Sequence, residues 1–232
     1  MLKLKVVEKP ITIEHDDSFK VILSKYGALA LDKQDNLSRL IGENVGDLDM
    51  EKGTITFGDI KMPVQILGFY SQDLNQWSWA WDSEEIFGEN LIKASKQIKA
   101  VGDEFDIIEF ASPILQTDFD ACHSLAMVAT AFLNYDAYYV VSEDGIDIFV
   151  AVESEDIEEV NTVKKFRDIF YNFQKNYRVH PKIAFEAYTK LKGYGFKPHD
   201  DFYVAKIGES RIICGFTERG NVTRLLMYEE DD

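Results

Sequence analysis

The stretch "NQWSWAWDS", residues 75–83, sets Trp77, Trp79 and Trp81 at every second position, and these are the only tryptophans in the chain. A spacing of two is the period of a β-strand, so the three indoles share one face and Ser78 and Ala80 take the other. Each indole covers about 150–250 Å² of surface. Leaving all three in water makes an apolar patch larger than soluble monomers carry. The face is therefore covered, either by protein or by a ligand. A core role is the stronger reading, with the strand pinned to helices above it. The other reading is an aromatic-lined pocket walled by Trp77, Trp79, Trp81 and Tyr70. It is kept open because leucines fill a core without needing partners for three indole N–H groups.

Working outward, "KMPVQILGFYS" at 61–71 reads as the strand that pairs back onto the tryptophans through the polar loop 72–75. Before it, "DLDMEKGTITF" at 47–57 reads as a hairpin with Lys52-Gly53 at the turn. Upstream, Phe19, Ile22, Leu23, Tyr26, Ala30, Leu37, Leu40 and Ile41 recur near helical spacing, with Asp16 or Asp17 as N-cap and an end near Gly42. A short strand is expected at 2–7.

Downstream, two helices are expected, at about 86–101 ending at Gly102 and at about 118–134. The second is apolar nearly all round, which places it in the middle of a core. Its polar stripe runs through His123, Thr130 and Asn134. "AYYVVSEDGIDIFVAV" at 137–152 follows, and Asp144-Gly145 is the strongest hairpin turn in the chain. From about 154 the pattern changes. Val160, Val163, Phe166, Phe170, Phe173 and Tyr177 mark an amphipathic helix, and a shorter one opens at Pro181 and ends at Gly193 and Gly195. Three strands, "DFYVAKI", "RIICGF" and "VTRLLMY", close the chain before an acidic tail read as frayed and solvated. The class is α+β, with antiparallel meandering sheets, helices packed on one face and the apolar helix 118–134 at the centre. One compact domain over 1–232 is expected, with a subdomain change near 154.

This order of motifs, from "DLDMEKGTITF" through "ILGFYSQDLNQWSWAW" and "AMVATAFLNYDAYYVV" to "HPKIAFEAYTKLKGYGF" and "GFTERGNVTRL", resembles a prokaryotic family classed as a domain of unknown function. The Trp-x-Trp-Ala-Trp strand is the most specific part of the likeness. Family members commonly carry Asn after the last pair of tryptophans, where this chain has Asp82-Ser83. The resemblance implies a compact cytosolic domain and transfers no activity, cofactor or catalytic residue.

The chain has 232 residues, with 25 Lys plus Arg against 41 Asp plus Glu, a formal charge of −16. Such a body repels nucleic-acid phosphates and anionic lipid. The richest basic run, Lys164, Lys165, Arg167, Lys175 and Arg178, reads as a solvated helix face. The longest apolar stretch, "LAMVATAFL" at 125–133, is half of what spans a bilayer, and the charged N-terminus does not read as a signal peptide. Cys122 and Cys214, far apart, fit reduced thiols in a cytosol.

Chemistry-bearing constellations are missing from the sequence. There is no GxSxG elbow, phosphate loop or GxGxxG run. Cys122 and His123 are neighbours on a helix, so their side chains diverge by about 100°. His15, His180 and His199 are scattered, and His199-Asp200-Asp201 reads as a turn. Asp103, Glu104, Asp106 and Glu109 read as a solvated connection between helices. His123 reads as an edge residue with one satisfied hydrogen bond, with acid–base work at a cleft mouth as the alternative. No catalytic residue, metal site or cofactor is expected. The expectation is a cytoplasmic, acidic, non-catalytic interaction protein, with a basic protein as its partner and neither nucleic acid nor membrane. The alternative is a small-molecule binder or enzyme using Trp77, Trp79, Trp81, Tyr70 and His123.

Overall fold

The computed structural model describes residues 11–229, so the strand expected at 2–7 and the last three residues of the acidic tail lie outside the described residues. Helix α1 (Phe19–Ile41) buries Ile22, Leu23, Tyr26, Ala30, Leu37 and Ile41, the positions its helical spacing marks. Its N-cap is Ser18 rather than Asp16 or Asp17. The Asp17 carboxylate is taken up just before the helix, accepting from the Glu14 N–H at 2.9 Å and pairing with Lys25 at 2.5 Å.

Strands β1 (Asp47–Asp49), β2 (Thr54–Phe57), β3 (Ile60–Ser71) and β4 (Gln76–Trp79) form an antiparallel meander. Gly53 takes φ 66° at the first turn, as the Lys52-Gly53 signal requires. The tryptophan strand is shorter than its alternation suggests. It stops at Trp79, and Ala80–Asp82 coil into one 3₁₀ turn. There the Trp81 N–H donates to Ser95 Oγ at 3.1 Å, and that hydroxyl donates to the Leu67 carbonyl at 2.9 Å. A side chain has replaced the ladder partner, so Trp81 leaves the strand.

A short helix α2 (Glu84–Phe87) and a further 3₁₀ turn precede α3 (Lys93–Phe105). The helix expected at 86–101 is thus broken at Gly88 and displaced toward the C-terminus, and Gly102 does not end it. Gly102 lies inside α3 because a Cβ there would sit 2.6 Å from the Ala111 backbone nitrogen and 2.7 Å from Phe110 Cβ. The helix ends instead at Asp106, φ 56°. Helix α4 (Ile108–Ala111) and strand β5 (Ile114–Gln116) follow, both too short for periodicity to mark. The acidic run 103–109 is therefore mostly helical, not a loose connection.

Helix α5 (Phe119–Leu133) opens where Asp118 accepts the Ala121 N–H at 2.8 Å and closes at Asn134, φ 64°. Nine of its 15 residues are buried, and it packs on α1 and on the sheet. The hairpin β6 (Ala137–Glu143) and β7 (Ile146–Val152) turns on Asp144, φ 49°, and Gly145, φ 80°, the left-handed pair of a two-residue hairpin. Strand β7 pairs antiparallel with β3 from Val64 to Ser71 and completes a seven-stranded sheet. Phe149 and Ala151 face α5 and the main core, while Val150 and Val152 join a second, smaller cluster with Ile55, Phe57, Leu37 and Ile41 on the opposite face.

The C-terminal part is α6 (Val163–Asn176), α7 (Pro181–Leu191) and the meander β8 (Gly195–Pro198), β9 (Phe202–Ile207), β10 (Ser210–Phe216) and β11 (Val222–Tyr228). Helix α6 starts later than Val160 because Thr162 caps it, accepting from the Lys165 N–H at 3.1 Å. Strand β8 is unmarked in the sequence, where Gly195 reads as the end of the preceding helix. Phe166, Phe170, Phe173, Phe185, Ile212 and Cys214 belong to the same core cluster as α5 and the tryptophans.

Candidate functional site

Trp77 and Trp79 are fully buried, facing the main core from β4. Their rings meet edge to face at 5.1 Å, Trp77 meets Phe149 at 5.1 Å, and Trp79 meets Phe110 at 6.0 Å. Gly68 on β3 makes this close packing possible, since a Cβ there would lie 2.5 Å from the Trp77 ring. The Trp79 indole N–H donates to the Glu109 carbonyl at 2.8 Å. The Trp77 indole N–H is buried without a hydrogen-bond partner among the described residues, and so is that of Trp81. Trp81 is half-buried at the edge, with the Lys99 ammonium 5.2 Å from its ring centre. Tyr70, nearly buried, donates its hydroxyl to Asn75 Oδ1 at 2.9 Å and approaches Phe119 at 5.7 Å.

Aromatic contacts link these residues to His123. Its ring meets Phe119 at 4.6 Å and Phe149 at 5.3 Å, and Phe149 reaches Trp77. The structure thus joins Tyr70, Trp77, Trp79 and His123 in one aromatic cluster, and places Trp81 apart from it. Of the four, His123 lines a cleft. That cleft, about 630 Å³, lies between the start of α5 and the end of α6, with Asp118, Asp120, Ser124, Tyr177 and Arg178 on its walls. His123 Nδ1 lies 2.9 Å from the Tyr138 hydroxyl. Burial raises the Tyr138 pKa well above its ordinary value, and the protonated phenol serves the ring nitrogen equally as donor or acceptor. The contact is met by either tautomer of the ring. Burial also lowers the His123 pKa, against the opposing pull of Asp120 and Asp147. The shift favours the neutral imidazole, which holds one donor and one acceptor nitrogen. Beneath it Asp147 is buried, accepting from Ser142 at 2.5 Å and Gln72 at 3.0 Å; nothing in the strand pattern "IDIFVAV" marks that carboxylate as inward-facing. Thr130, on the same polar stripe as His123, is sealed in the core instead of lying at an edge.

A second buried polar centre ties α1 to the C-terminal part. The Asp32 carboxylate contacts Lys165 Nζ at 2.6 Å, off the line of a hydrogen bond, and Lys192 Nζ at 3.0 Å, and accepts from the Tyr188 hydroxyl at 3.0 Å. Lys165 also reaches Asp35 at 3.0 Å and bonds Asn36. Burial pulls the Lys192 pKa down, but Asp32 and Glu159 outweigh it and the net shift is upward. Lys165 is therefore no solvated residue of a basic helix face. It serves a buried ion cluster that periodicity along one helix does not reveal.

The remaining candidates stay separate. His15 rests on Phe105 at 5.0 Å, and His199 stacks on Phe202 at 4.3 Å while its backbone N–H closes the turn. Cys122 and Cys214 are free and buried, and burial pushes both thiols up to about 12. Among the described residues no group of three or more His, Cys, Asp or Glu is placed to hold a metal ion. Among them too, no helix is long and apolar enough to cross a membrane. Charge is divided unevenly along the chain. Residues 1–155 hold 12 Lys plus Arg against 28 Asp plus Glu, and residues 156–232 hold 13 of each.

Fold and geometry define an antiparallel α+β protein with a filled aromatic core. Residues 21–155 match a family of unknown function (DUF6882), and the chain belongs to that family. The match contains the tryptophan strand, α5 and the β6–β7 hairpin, and ends just before the charge-balanced part. Neither curated proteins nor solved structures give a match.

Proposed function

We propose that the chain is a non-catalytic interaction protein whose acidic part, residues 1–155, takes a basic protein partner. The charge division carries this reading. The entire net charge of −16 arises within residues 1–155, where 28 carboxylates face 12 cations. A field concentrated on one part steers a basic partner to it and repels nucleic acid and anionic membranes. Two buried, free thiols support a cytoplasmic location. Core residues shared across position 154 support a single domain. The same reading takes Trp-x-Trp-Ala-Trp as a signature of a prokaryotic family, anchored by the burial of Trp77 and Trp79. Affinity capture from lysate at about 50 mM and about 500 mM salt tests it. A basic protein retained at low salt and released at high salt supports the reading; no salt-sensitive basic partner contradicts it.

The His123 cleft favours a second reading, a small polar ligand. Its walls combine the His123 imidazole with Arg178 and Asp120, for which no ion pair forms among the described residues. A screen of zwitterionic small molecules by thermal shift, repeated on His123→Phe, separates it from the first. A shift lost in the variant supports the cleft.

A further inference from the structure

The C-terminal sheet presents a face of opposite sign to the rest of the molecule. Strands β8 to β11 carry Lys197, Lys206, Arg211 and Arg224 and not one carboxylate, in a chain with 41 Asp plus Glu. Register puts all four cations on the same side. Lys206 lies opposite Arg211, Lys197 opposite Val204, and Arg224 opposite Gly215. The alternate residues Ala205, Ile212, Cys214 and Phe216 are buried in the core beneath, where α6 and α7 pack. The outer side therefore looks away from the core. Its middle row runs Lys197, Val204, Ile213 and Leu226, aligned by the ladders, with Lys206 and Arg211 in the row on one side and Arg224 in the row on the other. A shallow hollow of about 430 Å³ opens there, edged by Lys197, His199, Val204, Lys206 and Arg211. Only Lys206 meets a carboxylate among the described residues, Glu209 at 3.0 Å in the adjoining turn.

We propose that this face docks an acidic protein segment in extended form, its apolar side chains on the Val204–Ile213–Leu226 row and its carboxylates on the flanking cations. Charge complementarity selects the sign of the occupant. The chemistry of the middle row selects its kind. Single-stranded nucleic acid needs exposed rings on which bases stack, and this row is aliphatic. Phe202 is half-buried and already stacked on His199, which leaves Tyr228 as an exposed ring at one corner. The net charge of −16 also opposes a long polyanion more than a short peptide. This inference is independent of the reading of residues 1–155, which attracts the opposite sign.

Fluorescence anisotropy on the full chain tests it, with a labelled peptide Glu-Glu-Leu-Val-Leu-Glu-Glu. Comparison probes are the same peptide with Lys for Glu and an oligouridylate of about ten nucleotides, a length an open groove accommodates. Saturable binding of the acidic peptide alone is expected. Joint Arg211→Glu and Arg224→Glu substitution should weaken it at least about tenfold by putting like charges against the peptide, and Ile213→Asn should weaken it as well. Amide shift mapping on the unsubstituted chain gives a readout that needs no variant, with Val204, Ile213 and Leu226 expected to move. Absence of saturable peptide binding overturns the proposal. So does binding that is indifferent to these substitutions, shifts that fall elsewhere, or tighter binding of the oligouridylate.

Discussion

Truncating Trp79 tests whether the tryptophan strand holds the fold. Its side chain is fully buried and meets Trp77 and Phe110 edge to face. Trp79→Ala removes that surface from the core and leaves a cavity the rigid sheet cannot close, a loss of about 3–5 kcal/mol. With a urea slope of about 2–3 kcal/mol/M for a chain of this size, the unfolding midpoint falls by about 1–2.5 M. Trp79→Phe keeps most of the volume but orphans the Glu109 carbonyl, which the indole N–H reaches at 2.8 Å. An unpaired buried acceptor costs about 1–3 kcal/mol, so this variant should fall between the other two. Far-UV circular dichroism follows the melts without relying on tryptophan emission. A midpoint for Trp79→Ala within about 0.2 M of the parent protein would refute the packing argument, because surface substitutions lie in that range. It would also redirect the search for a ligand to the strand itself.

Asp32→Asn leaves two buried ammonium groups, Lys165 and Lys192, without their shared carboxylate, and should cost about 3–5 kcal/mol in a urea melt; a loss under about 1 kcal/mol would show that the cluster rearranges freely. Both cysteines, buried with thiols pushed up to about 12, should resist a thiol reagent in the folded protein at pH near 8 and react once denatured; rapid labelling of the folded protein contradicts this. The His123 pKa is held below its ordinary 6.5 mainly by burial. Stability from its neutral form is therefore full above about pH 6.5 and lost as pH falls toward the lower folded value. A ring-proton titration by NMR with a midpoint at or above 6.5 would contradict the burial of the neutral ring.

Legibility in the sequence tracks how local the deciding signal is. The Asp144-Gly145 turn and the all-round apolar helix α5 are encoded in contiguous residues, and both stand where the sequence puts them. Trp77 and Trp79 share a face as their spacing requires, yet the third tryptophan leaves the strand because Ser95, distant in sequence, captures its N–H. Gly102 reads as a helix stop locally but marks the close approach of Phe110. Strand β5 at three residues and helix α4 at four repeat too few times for a period to show, and in β8 Gly195 and Pro198 hide the strand. Of the candidate site, the residue types were visible and the partnerships were not. The His123–Tyr138 contact joins a helix to a strand, and Asp32 meets Lys165 across 133 positions, pairings that only the folded chain creates.

Zero-length carbodiimide cross-linking of the full chain in lysate, read by mass spectrometry, tests the interaction account most directly. Carboxylates within residues 1–155 should join to lysines of a basic partner at low salt, and those links should vanish when salt shortens the Debye length to about 3 Å near 1 M. Cross-links confined to the chain itself, or foreign links made by carboxylates of residues 156–232 alone, would contradict the account.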